Sequence, residues 1–167
     1  MRSEGAHLIL AAVTAVVLGA CSDDGRLFDT YRSLHADGWR RSDTVLFNIP
    51  ADILCAATDG ELHLRVADDY PFSNITMVVT TTAGDSLCHR DTVECCLADA
   101  DGRLSGTGYG FKDYAAVLPL PAAPQRASLM RRPTCDTDTL GVAVCHIMRR
   151  ETLPGLAAVG LTLRRRP

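Results

Sequence analysis

"ELHLRV", residues 61–66, sets Leu62, Leu64 and Val66 against Glu61, His63 and Arg65. An extended strand throws successive side chains to opposite faces, so this alternation makes one face apolar and the other polar. The same pattern recurs outward along the chain. "TVLFNIP" (44–50) groups Val45, Phe47 and Ile49, and "NITMVVT" (74–80) groups Ile75, Met77 and Val79. "DTVECCLA" (91–98) groups Val93, Cys95 and Leu97, opposite Thr92, Glu94 and Cys96. "TLGVAVCHI" (139–147) and "LAAVGLTL" (156–163) follow, the second through Ala157, Val159, Leu161 and Leu163, and "DTYRSL" (29–34) supplies an edge strand at the start. Turn chemistry separates the strands at "TDG" (58–60), "AGD" (83–85), "DADG" (99–102) and "LPG" (153–155). No 3.6-residue period competes, apart from a short helical stretch near 126–132. Seven or eight strands with no helices between them predict an all-β fold, an antiparallel β-sandwich of jelly-roll or immunoglobulin-like type. Residues 99–126 read as loop-rich, and long loops on a rigid β scaffold are where binding usually sits.

Ahead of the strands, Leu8 to Ala20 is almost entirely aliphatic or small. A membrane-spanning helix needs about 20 apolar residues. The run is shorter than that and ends in small residues, as a secretory signal does. Leu18-Gly19-Ala20-Cys21 resembles the lipobox of bacterial lipoproteins, in which the cysteine thiol is alkylated by diacylglycerol and becomes the mature N-terminus. An ordinary signal peptide with a chance cysteine is the competing reading. Each buried methylene contributes about 0.8 kcal/mol, and two or more acyl chains make attachment stable. Ser22, rather than Asp, follows the cysteine, which by the enteric sorting rule permits transfer to the outer membrane. Asp23 and Asp24 are either a short acidic surface-export signal or a solvated linker. The expected organisation is a cleaved lipoprotein signal peptide (1–20), an acylated cysteine with acidic linker (21–26) and one sandwich domain (27–167).

The 167 residues carry 17 Lys and Arg against 20 Asp and Glu, a formal net charge of −3. The arginines form small groups such as "MRR" (130–132 and 148–150) and "RRR" (164–166), without the basic face that nucleic acid requires. With Cys21 assigned to lipid, six cysteines remain: Cys55, Cys88, Cys95, Cys96, Cys135 and Cys145. An even number in an exported chain favours disulfides, whose connectivity stays open. Cys88 and Cys96 on one strand would lie about 26 Å apart, too far to bridge. Cys95 and Cys96 point to opposite faces.

Catalytic chemistry finds little support. "GRLSGTG" around Ser105 lacks the nucleophile elbow and a strand-to-helix turn. "GTGYG" lacks the context in which glycines cradle phosphate. Cys88-His89 and Cys145-His146 offer thiol and imidazole without the C-x₂₋₄-C pairs of structural zinc. Asp99 and Asp101 echo a calcium loop whose other ligands are missing, so a tight turn with capping carboxylates is the better reading. No catalytic residue, metal site or cofactor is expected.

The order of segments is itself informative. "FDTYRSLHADGWRRSDTVLFNI" (28–49), "DYPFSNITMVV" (69–79), "DTVECCLADADGRLSGTGYG" (91–110), "VCHIMR" (144–149) and "LPGLAAVGLTL" (153–163) resemble the GldH family of gliding-motility lipoproteins from Bacteroidetes. The strongest parts are Gly38-Trp39 with Asp43-Thr44, the Asp69–Asn74 segment, and Ala98-Asp99 with Gly102, Gly106 and Gly108. The resemblance implies an outer-membrane lipoprotein tied to gliding motility and type IX secretion, with no established enzyme activity; the extra cysteines depart from the family pattern. Asp43-Thr44-Val45, Asp85-Ser86-Leu87, Asp91-Thr92-Val93 and Asp138-Thr139-Leu140 resemble the O-glycosylation motif of Bacteroidetes proteins, and each also suits the start of a strand. Trp39, Tyr70, Phe72, Tyr109 and Phe111 are the candidate partner contacts, with core packing favoured for Trp39 and Phe72 and exposure for Tyr109 and Phe111. Three functions compete: a tethered non-enzymatic component that docks onto envelope proteins, a surface lipoprotein whose aromatics stack on carbohydrate, and, more distantly, a disulfide-stapled hydrolase.

Overall fold

The computed structural model describes residues 25–83, 86–122 and 139–165, without the side chains at 86–88. The helical stretch expected near 126–132 lies outside them, as do Cys21 and Cys135. Alternation turns into burial strand by strand. In β3 (Val45–Pro50), Val45, Phe47 and Ile49 are buried while Leu46 and Asn48 face out. In β4 (Asp59–Ala67), Leu62, Leu64 and Val66 go inward. β5 (Asn74–Ala83), β6 (Ser86–Cys96) and β8 (Thr139–His146) follow the same rule. β10 (Leu156–Arg164) buries Val159, Leu161 and Leu163. Each fully buried Leu, Ile or Phe contributes about 1.5–3 kcal/mol, and the pooled inner faces form one cluster from Trp39 to Leu163.

Two four-stranded sheets share that core. One runs β1 (Arg26–Ser33), β10, β4, β7 (Phe111–Val117); the other runs β3, β8, β5, β6. Every pairing is antiparallel. Only β5 and β6 are sequence neighbours paired within a sheet; the other connections between the eight long strands cross from one sheet to the other. This double Greek key is a jelly roll, and the topology selects it over the immunoglobulin arrangement. A third piece, β2 (Trp39–Arg40) paired with β9 (Thr152–Leu153), closes one end.

Three local features depart from the sequence reading. β7 lies inside the stretch read as loop. Its outward Phe111 and Val117 and its inward Lys112 break the polarity alternation, because an edge strand lets Lys112 reach out to the Gly108 carbonyl at 2.7 Å. A six-residue helix, α1 (Ala51–Ala56), follows β3; it is too short to display a helical period, and it buries Leu54. "TDG" makes a bend only at Thr58, since Asp59 and Gly60 already belong to β4. At two sites the punctuation holds: Pro154-Gly155 turns the chain between β9 and β10, and the Asp99 carboxylate caps the 99–102 turn by accepting from the backbone N–H of Asp101 (3.0 Å) and Arg103 (2.9 Å); Gly84 and Asp85 of the 83–85 turn lie outside the described residues.

Candidate functional site

Strand direction gives the sandwich two unlike ends. β1 starts beside the C-terminal part of β10, Arg26 opposite Arg164, and that end also holds α1 and the start of β4. Gly25, the first described residue, leads into β1 at this end. β1 spans eight residues, about 26 Å at strand rise, to the opposite end. Four connections gather there: 34–44, 68–73, 97–110 and 147–155.

The 97–110 connection is rigidly hung. The Leu97 carbonyl accepts from the Tyr114 hydroxyl at 2.7 Å, the Ser105 N–H at 2.9 Å and the Ser105 hydroxyl at 3.3 Å. The hydroxyl of Ser105 is thus committed to the backbone. Asp68 and Gly110 bond reciprocally: the Gly110 N–H donates to the Asp68 carboxylate at 3.1 Å, and the Asp68 N–H to the Gly110 carbonyl at 3.2 Å. These ties hold Tyr109 at 100% exposure and Phe111 at 41%. The Arg65 guanidinium sits 5.5 Å from the Phe111 ring centre, a cation–π distance.

The other three aromatic candidates behave differently. Trp39 is 1% exposed; its indole N–H donates to the Asp43 carbonyl at 3.0 Å, and its ring meets His146 edge-on at 5.3 Å. His146 is itself fully buried, with Nε2 3.1 Å from the Trp39 carbonyl. Burial holds its imidazole pKa below the usual value, partly offset by that bond. Tyr70 is buried edge-on to Phe72 at 5.4 Å, and its hydroxyl, which has no hydrogen-bond partner among the described residues, is pushed up to about 12 by desolvation. Phe72 is half-buried against the core. Trp39 and Tyr70 therefore shape the loops from beneath, whereas Tyr109, Phe111 and the rim of Phe72 reach the surface.

A groove of about 430 Å³ opens beside Phe72, lined also by Asn74, Ile147, Met148, Arg149, Arg150 and Leu153. Its walls are fixed: the Thr76 N–H donates to the Met148 sulfur at 3.4 Å, the Ile147 N–H to the Thr76 carbonyl at 3.0 Å, and the Asn74 amide to Glu94 at 2.8 Å. A second hollow, about 260 Å³, lies between the edges of β1 and β3 and includes exposed Thr44. Thr92 and Thr139 are exposed on β6 and β8; Ser86 begins β6. Sequence reasoning missed the first groove, whose only linear trace was "VCHIMR", where an apolar pair outruns the end of a strand.

The cysteines separate as their faces require. Cys95 points into the core and Cys96 out of it, and β5 stands between β6 and the β8 residue Cys145. Two strand spacings, about 9.5 Å, exceed the reach of a disulfide, and these three residues are thiols. Burial, with Cys96 alongside, raises the Cys95 pKa. Cys55 is half-buried in α1. Among the described residues no three His, Cys, Asp or Glu side chains are placed to share a metal ion, and no helix is long and apolar enough to cross a membrane.

The molecule is thus a jelly-roll scaffold that presents fixed, partly apolar loops at the end opposite its N-terminal strand start. Comparison with known proteins supplies the family: the chain belongs to the GldH lipoproteins, whose sequence profile matches residues 26–163. It is 30% identical over 109 residues to the gliding motility lipoprotein GldH of Flavobacterium johnsoniae, covering 65% of this chain and 66% of that protein. It is 24% identical over 110 residues to the gliding motility lipoprotein GldH homolog of Christiangramia forsetii, covering 66% and 65%. The match spans just under two thirds of the length of each of these relatives.

Proposed function

We propose that this protein is a non-enzymatic outer-membrane lipoprotein that docks onto envelope proteins of a gliding or type IX secretion apparatus. The observation that carries this is the polarity of the jelly roll. A lipobox cysteine leads into one end, and the fixed loops bearing exposed Tyr109, Phe111 and Ile147 form the other. The division into signal peptide (1–20), acylated linker (21–26) and sandwich domain (27–167) belongs to the same reading. So does O-glycosylation at Thr44, Ser86, Thr92 or Thr139, and exposure of the three threonines leaves them open to a glycosyltransferase. Two acyl chains would fix the protein in a leaflet and leave the loop end about 26 Å further out. The two relatives named for gliding motility support the link to that machinery. Docking fits the surface better than carbohydrate stacking, since Arg65 already occupies a face of Phe111 and leaves Tyr109 as the one fully open ring among the five candidates.

The test combines metabolic labelling with crosslinking in the native host. Labelled palmitate is expected on the wild type and absent from Cys21→Ala, which should leave the membrane fraction. Crosslinking of the wild type should recover discrete envelope proteins. Label that persists on Cys21→Ala, or crosslinks confined to glycan, would refute the proposal.

A further inference from the structure

The groove at the loop end combines two features. Its floor and walls are apolar: Leu153 is fully buried beneath it, Met148 and Phe72 are half-buried along it, and Ile147 is 48% exposed at its lip. Its rim carries two guanidinium groups, Arg149 and Arg150, both exposed. Four other surface arginines have acidic partners. Arg41 donates to Glu151 at 2.8 Å, Arg65 lies 3.9 Å from Asp113, Arg26 pairs with Asp29 and Arg164 with Glu61. Arg149 and Arg150 have neither a hydrogen bond nor an ion pair among the described residues. Glu151, next in sequence, is engaged by Arg41, and Glu94 is engaged by the groove residue Asn74.

We infer that this groove binds an acidic, apolar-anchored segment of a partner protein, with one or two hydrophobic side chains on Met148 and Leu153 and flanking carboxylates on Arg149 and Arg150. This rests on the docking function proposed above and names the surface and chemistry it would use. Arginine suits the task because its planar fork takes a carboxylate through two parallel hydrogen bonds. Methionine adapts to differently shaped anchors, and arginine, methionine and aromatics are the residues enriched at interface cores. The backbone tie from Thr76 to the Met148 sulfur and the β2–β9 pair under Leu153 preform the floor, so little ordering is left to binding. An anionic lipid headgroup is disfavoured as occupant because the groove lies at the end opposite the start of β1, where the proposed lipidated N-terminus would enter.

The lipidated protein in detergent is titrated with fluorescent peptides in which Asp and Glu alternate with Leu and Phe, and with isomers in which Lys replaces the acids. The acidic series should bind, and weaken as salt rises. Affinity should fall about tenfold or more in Arg149→Glu/Arg150→Glu and again in Ile147→Asp. Both sets of positions are exposed, so thermal melts should match the wild type. Equal binding of both peptide series, or an unchanged affinity in the double variant, would overturn the inference. So would displacement of the acidic peptide by phosphatidylglycerol vesicles as effectively as by unlabelled peptide. Native-host crosslinking separates this from the wider reading. If the double variant still recovers the wild-type partners, the groove assignment fails and docking stands; if the wild type recovers none, docking itself fails.

Discussion

Gly38 offers the sharpest test of how the loop end is held. Its φ is +112°, a region that residues with a side chain rarely adopt. A Cβ added there would stand 2.5 Å from the Leu153 carbonyl oxygen and 2.9 Å from its carbon, both backbone atoms of β9. Gly38→Ala must therefore bear conformational strain of about 1–3 kcal/mol and also push β9 away from β2. The residues displaced are costly ones, since Trp39 and Leu153 are paired across the ribbon and both are buried. The sum is about 3–5 kcal/mol. Gly102 is the control: φ is +78° and a Cβ there would meet nothing within 4 Å, so Gly102→Ala should bear strain alone, about 1–2 kcal/mol. Urea titration of the two purified variants should show unequal drops in midpoint at similar slope. In thermal melts, the extra 2–3 kcal/mol should separate them by about 10 °C. Equal destabilisation would refute the claim that close approach of the 34–38 backbone to β9 holds this end together.

Acid should weaken the fold through His146. Its folded pKa lies below the unfolded one, so as pH falls below about 6.5 the unfolded chain takes up a proton that the buried ring refuses. Stability therefore falls with decreasing pH, by at most about 1.4 kcal/mol per unit from this group, and His146→Gln should flatten that part of the stability–pH curve measured by urea unfolding. Tyr70→Phe removes a buried hydroxyl without a partner among the described residues; stability should hold or rise by about 1 kcal/mol, and a loss of more than that would mean the hydroxyl is bonded. Under non-reducing conditions, iodoacetamide followed by peptide mass mapping should label Cys96 in the folded protein and Cys95 only after denaturation, since one is exposed and the other buried with a raised pKa.

Much of the fold was legible because burial on one face of a strand writes period two into the sequence. "VLFNI", "ELHLRV" and "NITMVV" all became half-buried strands in the faces read from them. β7 escaped because an edge strand tolerates apolar groups outside and a lysine stem inside, which erases the alternation. α1 escaped because one helical turn and a half carries no period. Jelly-roll order is not local information: strand length and pattern are alike for both sandwich types, and only pairing such as β1 with β10, more than a hundred residues apart, distinguishes them. The loop-end groove is assembled from 72–74 and 147–153, two segments that neither pattern nor spacing links. Aromatic exposure was partly legible, because glycines flanking Tyr109 leave it nothing to pack on, whereas the burial of Tyr70 depends on Phe72 and the Gly155 turn, distant in sequence.

The central claim is that the end of the sandwich opposite the proposed lipid anchor is the working end. A photo-crosslinking amino acid placed singly at Ile147, Tyr109 or Val117 tests it in living cells, because all three are exposed and only Val117 lies toward the anchor side. Discrete protein adducts from Ile147 and Tyr109, with none from Val117, are the predicted result. Adducts of equal yield from Val117, or from Val117 alone, would contradict it.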